Sequence, residues 1–472
     1  MFATLAVARS TDEPRALFTR SSSGVITFRM LSRFALGVTA STFAFVLLAA
    51  CVGDDPPPSG ATTPQNGDAS SEPGNGDGGP GAVGNCEGDS IDACGTSCTK
   101  CTAPANGTVA CVDGACQPKC SDPLTLCGGE CVNTTNSPSH CGKCDHSCGA
   151  GQCGASACQP FAAASGFTEV HSIASSPSGI VISADTTVSI CTDPKGCTAT
   201  SLSTIKAGVA RLNDVTVAGT DVFYNGNQGD FGIVYRCPVA GCPGTGPTVV
   251  DSVVNRTIGR VVAGPTDVLV TRYGGRGPYS QRCHLPECSS MIDVRPEPAS
   301  GSYDADPARE LDTPSHTVSV GAVSTLWATG SLYNDNYKQL RACSLATACS
   351  TFIEIDTAAK PVTALTYYDG KHYGASYAEG GGNVIFSVSD ASPGARTLLV
   401  GDAAGITDVA VDASGIYWVN GTTGKVLRCS TLTGCNGSGE TLATGQNGAS
   451  RIRLDDKFVY WMLPTSVMKV AK

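Results

Sequence analysis

Charge is scarce in this chain. Asp, Glu, Lys and Arg make up 15% of 472 residues, and aromatic residues only 6%. After residue 50 there is no long stretch with Leu at helical spacing. That composition, with 56 glycines, argues against a helical cytosolic enzyme and for a β-rich, turn-rich extracellular protein. Catalytic signatures are also missing. There is no Gly-x-Ser-x-Gly, no His-Glu-x-x-His and no phosphate-cradling Gly loop. The six histidines (His140, His146, His171, His284, His316 and His372) show no metal-ligand spacing with one another. Neither a catalytic residue, a metal site nor a cofactor is expected. Basic residues are few beyond the N-terminal region. Five of the 31 basic and two of the 41 acidic residues lie within 1–51, leaving 26 against 39 in the remainder. Such a surface repels nucleic acid and anionic headgroups, so no nucleic-acid partner is expected.

What the chain does have is cysteine, 25 in all, in three groups. Cys51 stands alone, fourteen lie between Cys86 and Cys158, and ten form five close pairs from Cys191 to Cys435. The last two groups are even, as disulfide pairing requires.

Residues 34–50 form an uncharged apolar stretch of 17, directly after Arg33. A basic flank, an apolar segment and small residues before a cut describe a secretory signal. The sequence Leu48-Ala49-Ala50-Cys51 resembles the lipobox of bacterial lipoproteins. The resemblance implies that Cys51 becomes the acylated N-terminus and anchors the protein to a membrane. Several acyl chains hold firmly where one is marginal. Met30 opens a more typical signal, so 1–50 is read as a signal peptide whose start is Met30 or Met1. Val52, where the inner-membrane pattern favours Asp, resembles the outer-membrane sorting pattern. Residues 52–85 contain Gly, Pro, Ser, Asn and Asp with no basic residue. With lipidated Cys51 they form a disordered tether, 51–85.

Residues 86–159 hold fourteen cysteines and no aromatic side chain, so only cross-links can give this segment a shape. It divides into a part ending about Cys120 and a second from Cys127 to Gln159. In the second, Cys127-Gly128-Gly129-Glu130-Cys131-Val132-Asn133, Asn136, Cys141-Gly142-Lys143-Cys144 and Cys148 resemble the cysteine-rich repeat of the stigma-specific family. This copy has His140 where the family usually has Asn. The resemblance implies a disulfide knot without enzymatic activity. Cys141, Cys144, His146 and Cys148 also have zinc-like spacing, but an exported chain this rich in Cys should be oxidised.

Residues 160–472 repeat. The clearest copy spans 405–445, with four alternating apolar–polar segments at 406–412, 415–420, 424–430 and 440–444, separated by Gly, Ser and Asn turns. Its third segment ends in a Cys that a second Cys follows. The pairs are Cys191/Cys197, Cys237/Cys242, Cys283/Cys288, Cys343/Cys349 and Cys429/Cys435. Spacings between first members (46, 46, 60 and 86) leave room for a cysteine-free copy with Ser387 at the Cys position. A last copy has Val470 there. Seven four-stranded units predict a seven-bladed β-propeller, with a six-bladed ring or two stacked sandwiches as the other possibilities. The last copy lacks a fourth strand, which the segment 161–170 can supply. The expected fold is therefore all-β: a tether, a disulfide module and a propeller.

The second strands share a bulky position, held by Ile182, Tyr224, Val270, Trp327, Tyr373, Trp418 and Trp461, which is read as blade-to-blade packing. On the innermost strands, Ser172, Asp214, Arg260, Thr317, Thr363, Asp408 and Arg451 align in one polar column at the channel mouth. Asp214 neighbours Arg260, and Asp408 neighbours Arg451. The column serves either as structural ties or as a binding site. His171 and His316 could also reach the channel. Asp304, Asp306, Glu310 and Asp312 could gather around calcium, though a solvated acidic excursion is the simpler reading. The whole propeller resembles the Cys-paired propellers of bacterial surface lipoproteins, on the residues Ile416-Tyr417-Trp418-Val419-Asn420-Gly421 and the hairpin Val426–Cys435. Three functions follow: a surface lipoprotein binding a protein, glycan or small ligand; a propeller hydrolase or lyase with a metal at the mouth; or a passive envelope component.

Overall fold

The computed structural model describes residues 89–472, apart from 229–230, 255–256, 274–278, 289–290, 295–316, 330–338, 348, 350–351, 357–360, 378–381, 403–404 and 436–438. The signal stretch, Cys51, the tether, Cys86, the acidic segment with Asp304, Asp306, Glu310 and Asp312, and His316 lie outside the described residues. Among the described residues no helix is long and apolar enough to cross a membrane. Regular structure there is all β apart from a short 3-10 turn at Leu345–Thr347.

Residues 160–472 form a seven-bladed β-propeller. Six sheets have four antiparallel strands in sequence order from the inside out. Their innermost strands are Val170–Ser176, Val215–Ala218, Thr257–Ala263, Thr317–Val320, Val362–Tyr368 and Ile406–Asp412. Blade 7 contributes Ser450–Leu454, Phe458–Leu463 and Ser466–Ala471. Its outer strand comes from the other end of the domain: Phe161–Ser165 pairs antiparallel with Ser466–Ala471. Only the first half of the segment 161–170 is used this way, because Val170 already starts the innermost strand of blade 1. The ring is thus closed by hydrogen bonds between two distant stretches of chain, and the short strand Cys197–Thr198 pairs in parallel on the outer side of Phe161–Ser165. Innermost strands touch their neighbours in ring order, blade 7 meeting blade 1.

The core is a set of layers between blades. One cluster joins blades 1 and 2, and others join 2 with 3, 3 with 4, 4 with 5 and 5 with 6. Ile182, Tyr224, Val270, Trp327, Trp418 and Trp461 are all buried in them, each paired with an apolar residue of the innermost strand: Ile173, Val215, Val261, Val318, Val409 and Ile452. Blade 5 departs from the expected column. There Ala375 holds the equivalent place, opposite Ala364, and Tyr373 lies two residues earlier, opposite Ser387. In five other blades a half-cystine occupies the Ser387 place. Where blade 5 has no disulfide, a tyrosine supplies the missing bulk, and the position it vacates shrinks to alanine.

Five disulfides link Cys191–Cys197, Cys237–Cys242, Cys283–Cys288, Cys343–Cys349 and Cys429–Cys435. Register puts them on one face of the ring. Cys191 lies opposite Ile180 and Cys429 opposite Ile416, each next to the glycine that turns the first strand into the second. Those glycines, Gly179 and Gly415, have φ of +145° and +141°, and a Cβ there would run into the carbonyl oxygens of Cys191 and Cys429. Arginines before the cysteines connect the blades on this face. Arg236 pairs with Asp221 at 2.6 Å and donates to the Glu287 carbonyl in the next blade's cystine loop. Arg282 pairs with Asp267 at 3.4 Å and donates to the Leu345 carbonyl one blade on.

In the N-terminal module, disulfides join Cys94–Cys111, Cys101–Cys116, Cys120–Cys131, Cys127–Cys144, Cys141–Cys153 and Cys148–Cys158. The Cys120–Cys131 bond ties the two expected parts together. Cys141, Cys144 and Cys148 belong to three different disulfides, so the zinc-like spacing has no thiolates to offer. His146 bonds the Cys141 and Lys472 carbonyls at 2.6 and 2.8 Å. The module packs on blade 7: Cys141, Cys148 and Cys158 share a core with Phe458, Tyr460 and Trp461. The seam is held by Lys469, which is 2% exposed. Its ammonium lies 4.9 Å from the ring centres of Phe161 and Phe458 and 5.9 Å from Tyr460, and it donates to the Pro194 carbonyl at 2.8 Å. Lys472 adds an ion pair to Asp412. Because Phe458 and Lys472 lie at the turn end of their hairpins, the module sits on the disulfide face.

Candidate functional site

The seven innermost strands enclose a central cavity of about 450 Å³. Its wall alternates because the strands do. Val215, Val261, Val318, Ala364 and Ile452 turn toward the blade layers, and polar neighbours gather at the end where the strands begin. That end is opposite the disulfide face. The register slips there in five blades, between Val170 and Ser172, Ile258 and Val261, Val362 and Ala364, Ile406 and Asp408, and Ser450 and Ile452. In blades 3 and 7 the β-bulge leaves a backbone N–H, of Val261 and Ile452, to a partner in the neighbouring blade and places Arg260 and Arg451 on the cavity wall. Arg451 occupies such a bulge with φ of +44°.

Of the predicted column, Asp214, Arg260, Thr317, Asp408 and Arg451 line the cavity; Ser172 and Thr363 are not part of its wall. Ser172 donates to Asp214 at 2.6 Å, and Thr363 donates to the Ala375 carbonyl of its own blade at 3.4 Å. The two aspartates do the same job in different blades. Asp214 accepts the Val261 N–H of the next blade at 3.2 Å, and Asp408 accepts the Ile452 N–H of the next blade at 3.0 Å. Each carboxylate caps the N–H that a bulge has freed. The ion pairs differ from those expected. Asp214 faces Arg451 at 3.8 Å, across the small Ser172 of blade 1, and Asp408 pairs with Arg453 at 2.8 Å. Arg453 lies outside the predicted column. The alternation of Arg451, Ile452 and Arg453, with two charges flanking an apolar residue on an inner strand, is the signal that marks it.

Arg260 makes no side-chain hydrogen bond or ion pair among the described residues; its backbone N–H bonds to Thr271 at 2.8 Å. Thr317 is 5% exposed, and its hydroxyl has no partner among the described residues. His171 lies in the blade 1 bulge beside Asp185 O and Glu169 rather than on the cavity wall.

A second polar cluster lies deeper, between blades 4 and 5. Ser319 Oγ is 2.8 Å from His372 Nδ1, and Asp390 Oδ1 is 3.2 Å from His372 Nε2. These are the residue types of an acyl-transfer triad, but the geometry is that of a clamp. Asp390 also accepts the N–H groups of Ala322, Val323 and Ser324 and the Ser324 hydroxyl, so it holds the first turn of blade 4 from blade 5. Ser319 is 1% exposed and His372 fully buried, so the cluster is packed into the layer between the two blades. Burial pushes the Asp390 carboxyl up; the hydrogen bonds from His372, Ser324 and Val323 N–H outweigh it and hold the group below the usual carboxylate range.

No protein-family model and no curated protein matches this sequence. Solved structures do resemble it. A catalytically inactive virginiamycin B lyase from Staphylococcus aureus, solved with quinupristin, is similar at TM-score 0.47 and 12% identity over 66% of this chain and 98% of that one. The WD40 β-propeller domain of Doa1 has a TM-score of 0.48 and 11% identity over 66% and 97%. A PQQ-bound aldose sugar dehydrogenase from Streptomyces coelicolor has 0.40 and 10% over 66% and 96%. At such identity these likenesses concern the fold alone.

Proposed function

We propose that this protein is an exported, lipid-anchored binding protein of the cell envelope, sited at the outer membrane, that offers its propeller mouth to a small ligand, a glycan or a protein segment without catalysing a reaction. The observation that carries this reading is the polarity of the ring. One end is covered by disulfide loops and the module; the other carries the convergent polar groups of a cavity. The chain enters the propeller through the module, on the face opposite the mouth, and the mouth stays clear of it. Export is supported by the disulfide density, and the anchor by the sequence around Cys51. The binding reading is favoured over a hydrolase or lyase by the aspartates. Asp214 and Asp408 already serve as hydrogen-bond acceptors for neighbouring blades, and so are poorly placed to act as metal ligands or general bases.

The test is a capture experiment with the secreted Cys51→Ser protein, on a glycan array and against solubilised envelope. Capture that is lost in Arg451→Ser/Arg453→Ser, with the fold retained by circular dichroism, supports the reading. Capture indifferent to the mouth would refute it and favour a passive structural role. For the anchor, Cys51→Ser should move the protein from the membrane to the soluble fraction.

A further inference from the structure

We infer that the ligand at the mouth bears a carboxylate, held by Arg260 and Thr317; this rests on the binding reading above. Among the described residues the mouth contains three arginines, Arg260, Arg451 and Arg453, against two aspartates, Asp214 and Asp408. The aspartates are well supplied. Asp214 takes hydrogen bonds from Ser172, Val215 N–H and Val261 N–H and faces Arg451; Asp408 takes Ile452 N–H and Arg453. Among the described residues one positive charge, on Arg260, is left over in the cavity wall.

Thr317 is the independent observation. It belongs to the blade next to Arg260, lines the same cavity, is 5% exposed, and has a hydroxyl with no partner among the described residues. A buried hydroxyl without a partner costs about 1–3 kcal/mol. The two residues together match a carboxylate: the guanidinium presents parallel N–H donors to both oxygens, and the hydroxyl adds an O–H donor from the adjacent blade. A cavity of about 450 Å³ suits a molecule the size of one or two sugar rings.

The experiment uses the secreted Cys51→Ser protein at low salt, with glucuronate, acetate and glucose as probes, read by thermal shift and calorimetry. Glucuronate should raise the melting temperature with a Kd in or below the millimolar range, acetate should do so more weakly, and glucose not at all. Arg260→Met and Thr317→Val should each weaken glucuronate by about tenfold or more. Lys371→Met, exposed on the disulfide face, should leave it unchanged. Thr317→Val should also raise the melting temperature of the free protein, because it removes the unpartnered hydroxyl. Equal response to glucose and glucuronate, no response to either anion at about 10 mM, or an anion response that survives Arg260→Met overturns the proposal. A neutral ligand captured on the array and lost in the mouth variants would overturn the carboxylate while leaving the binding reading intact. Capture indifferent to the mouth removes both.

Discussion

Asp390 illustrates how a single acid can hold two blades. It accepts five hydrogen bonds from blade 4 and His372 while nearly fully buried. Its folded pKa lies below the unfolded value, so its stabilisation is complete above about pH 4 and fades as pH falls through the folded value. Asp390→Asn is expected to cost about 2–4 kcal/mol at pH 7. In denaturant titrations its deficit against wild type should narrow below about pH 4; a deficit that does not change with pH would falsify the assignment. Lys469 is the cationic counterpart. Burial lowers its pKa, against the pull of Asp455 and Asp193, which raise it. A lysine with a depressed folded pKa makes the protein gain stability as pH rises through the folded value toward the unfolded one. Lys469→Ala removes three ring contacts and the Pro194 bond, and about 1–3 kcal/mol should go with them. Neither role could be read from the residue's neighbours in sequence, because the partners of each come from distant stretches of chain: blade 4 for Asp390, and Phe161 and Pro194 for Lys469.

At the scale of the element, the strands are legible in the sequence because alternation and turn residues survive in every copy. The four segments of 405–445 fall within a residue or so of the observed strands. What alternation cannot show is a bulge, since the extra residue looks like any other. Asp214 does line the cavity, yet its partner differs from the one expected: ring order pairs it with Arg260, whereas the small Ser172 lets Arg451 reach over blade 1. The same limit places Tyr373 in the bulky column of blade 5, where register assigns Ala375. Two experiments separate packing from cross-linking here. Tyr373→Ala should cost about 3–5 kcal/mol in chemical denaturation, and Tyr377→Ala, 41% exposed in the same strand, under about 1. Replacing Cys429 and Cys435 together by Ala should cost about 2 kcal/mol, the value for a short loop, and leave the ring folded. Complete unfolding would mean that the cystines define the fold, contrary to blades 5 and 7, which lack the pair.

The whole molecule has a seam and two unlike faces. A chain beginning at residue 166 lacks Phe161–Ser165 and leaves Ser466–Ala471 as an open edge next to Trp461. It should form dimers or aggregates in size-exclusion chromatography, while the full chain stays discrete. A monomeric, equally stable truncation would rule out strand closure as the lock. The seam also orders events in time. Phe161–Ser165 emerges among the earliest parts of the propeller, yet its partner is the stretch just before Lys472. In synthesis from the N-terminus the first strand therefore has only the short Cys197–Thr198 strand to pair with until the last blade has been made. Ring closure thus demands the last blade: a copy cut short before it can fold its sheets and never find its clasp, which gives proteases a clean distinction between finished and unfinished copies.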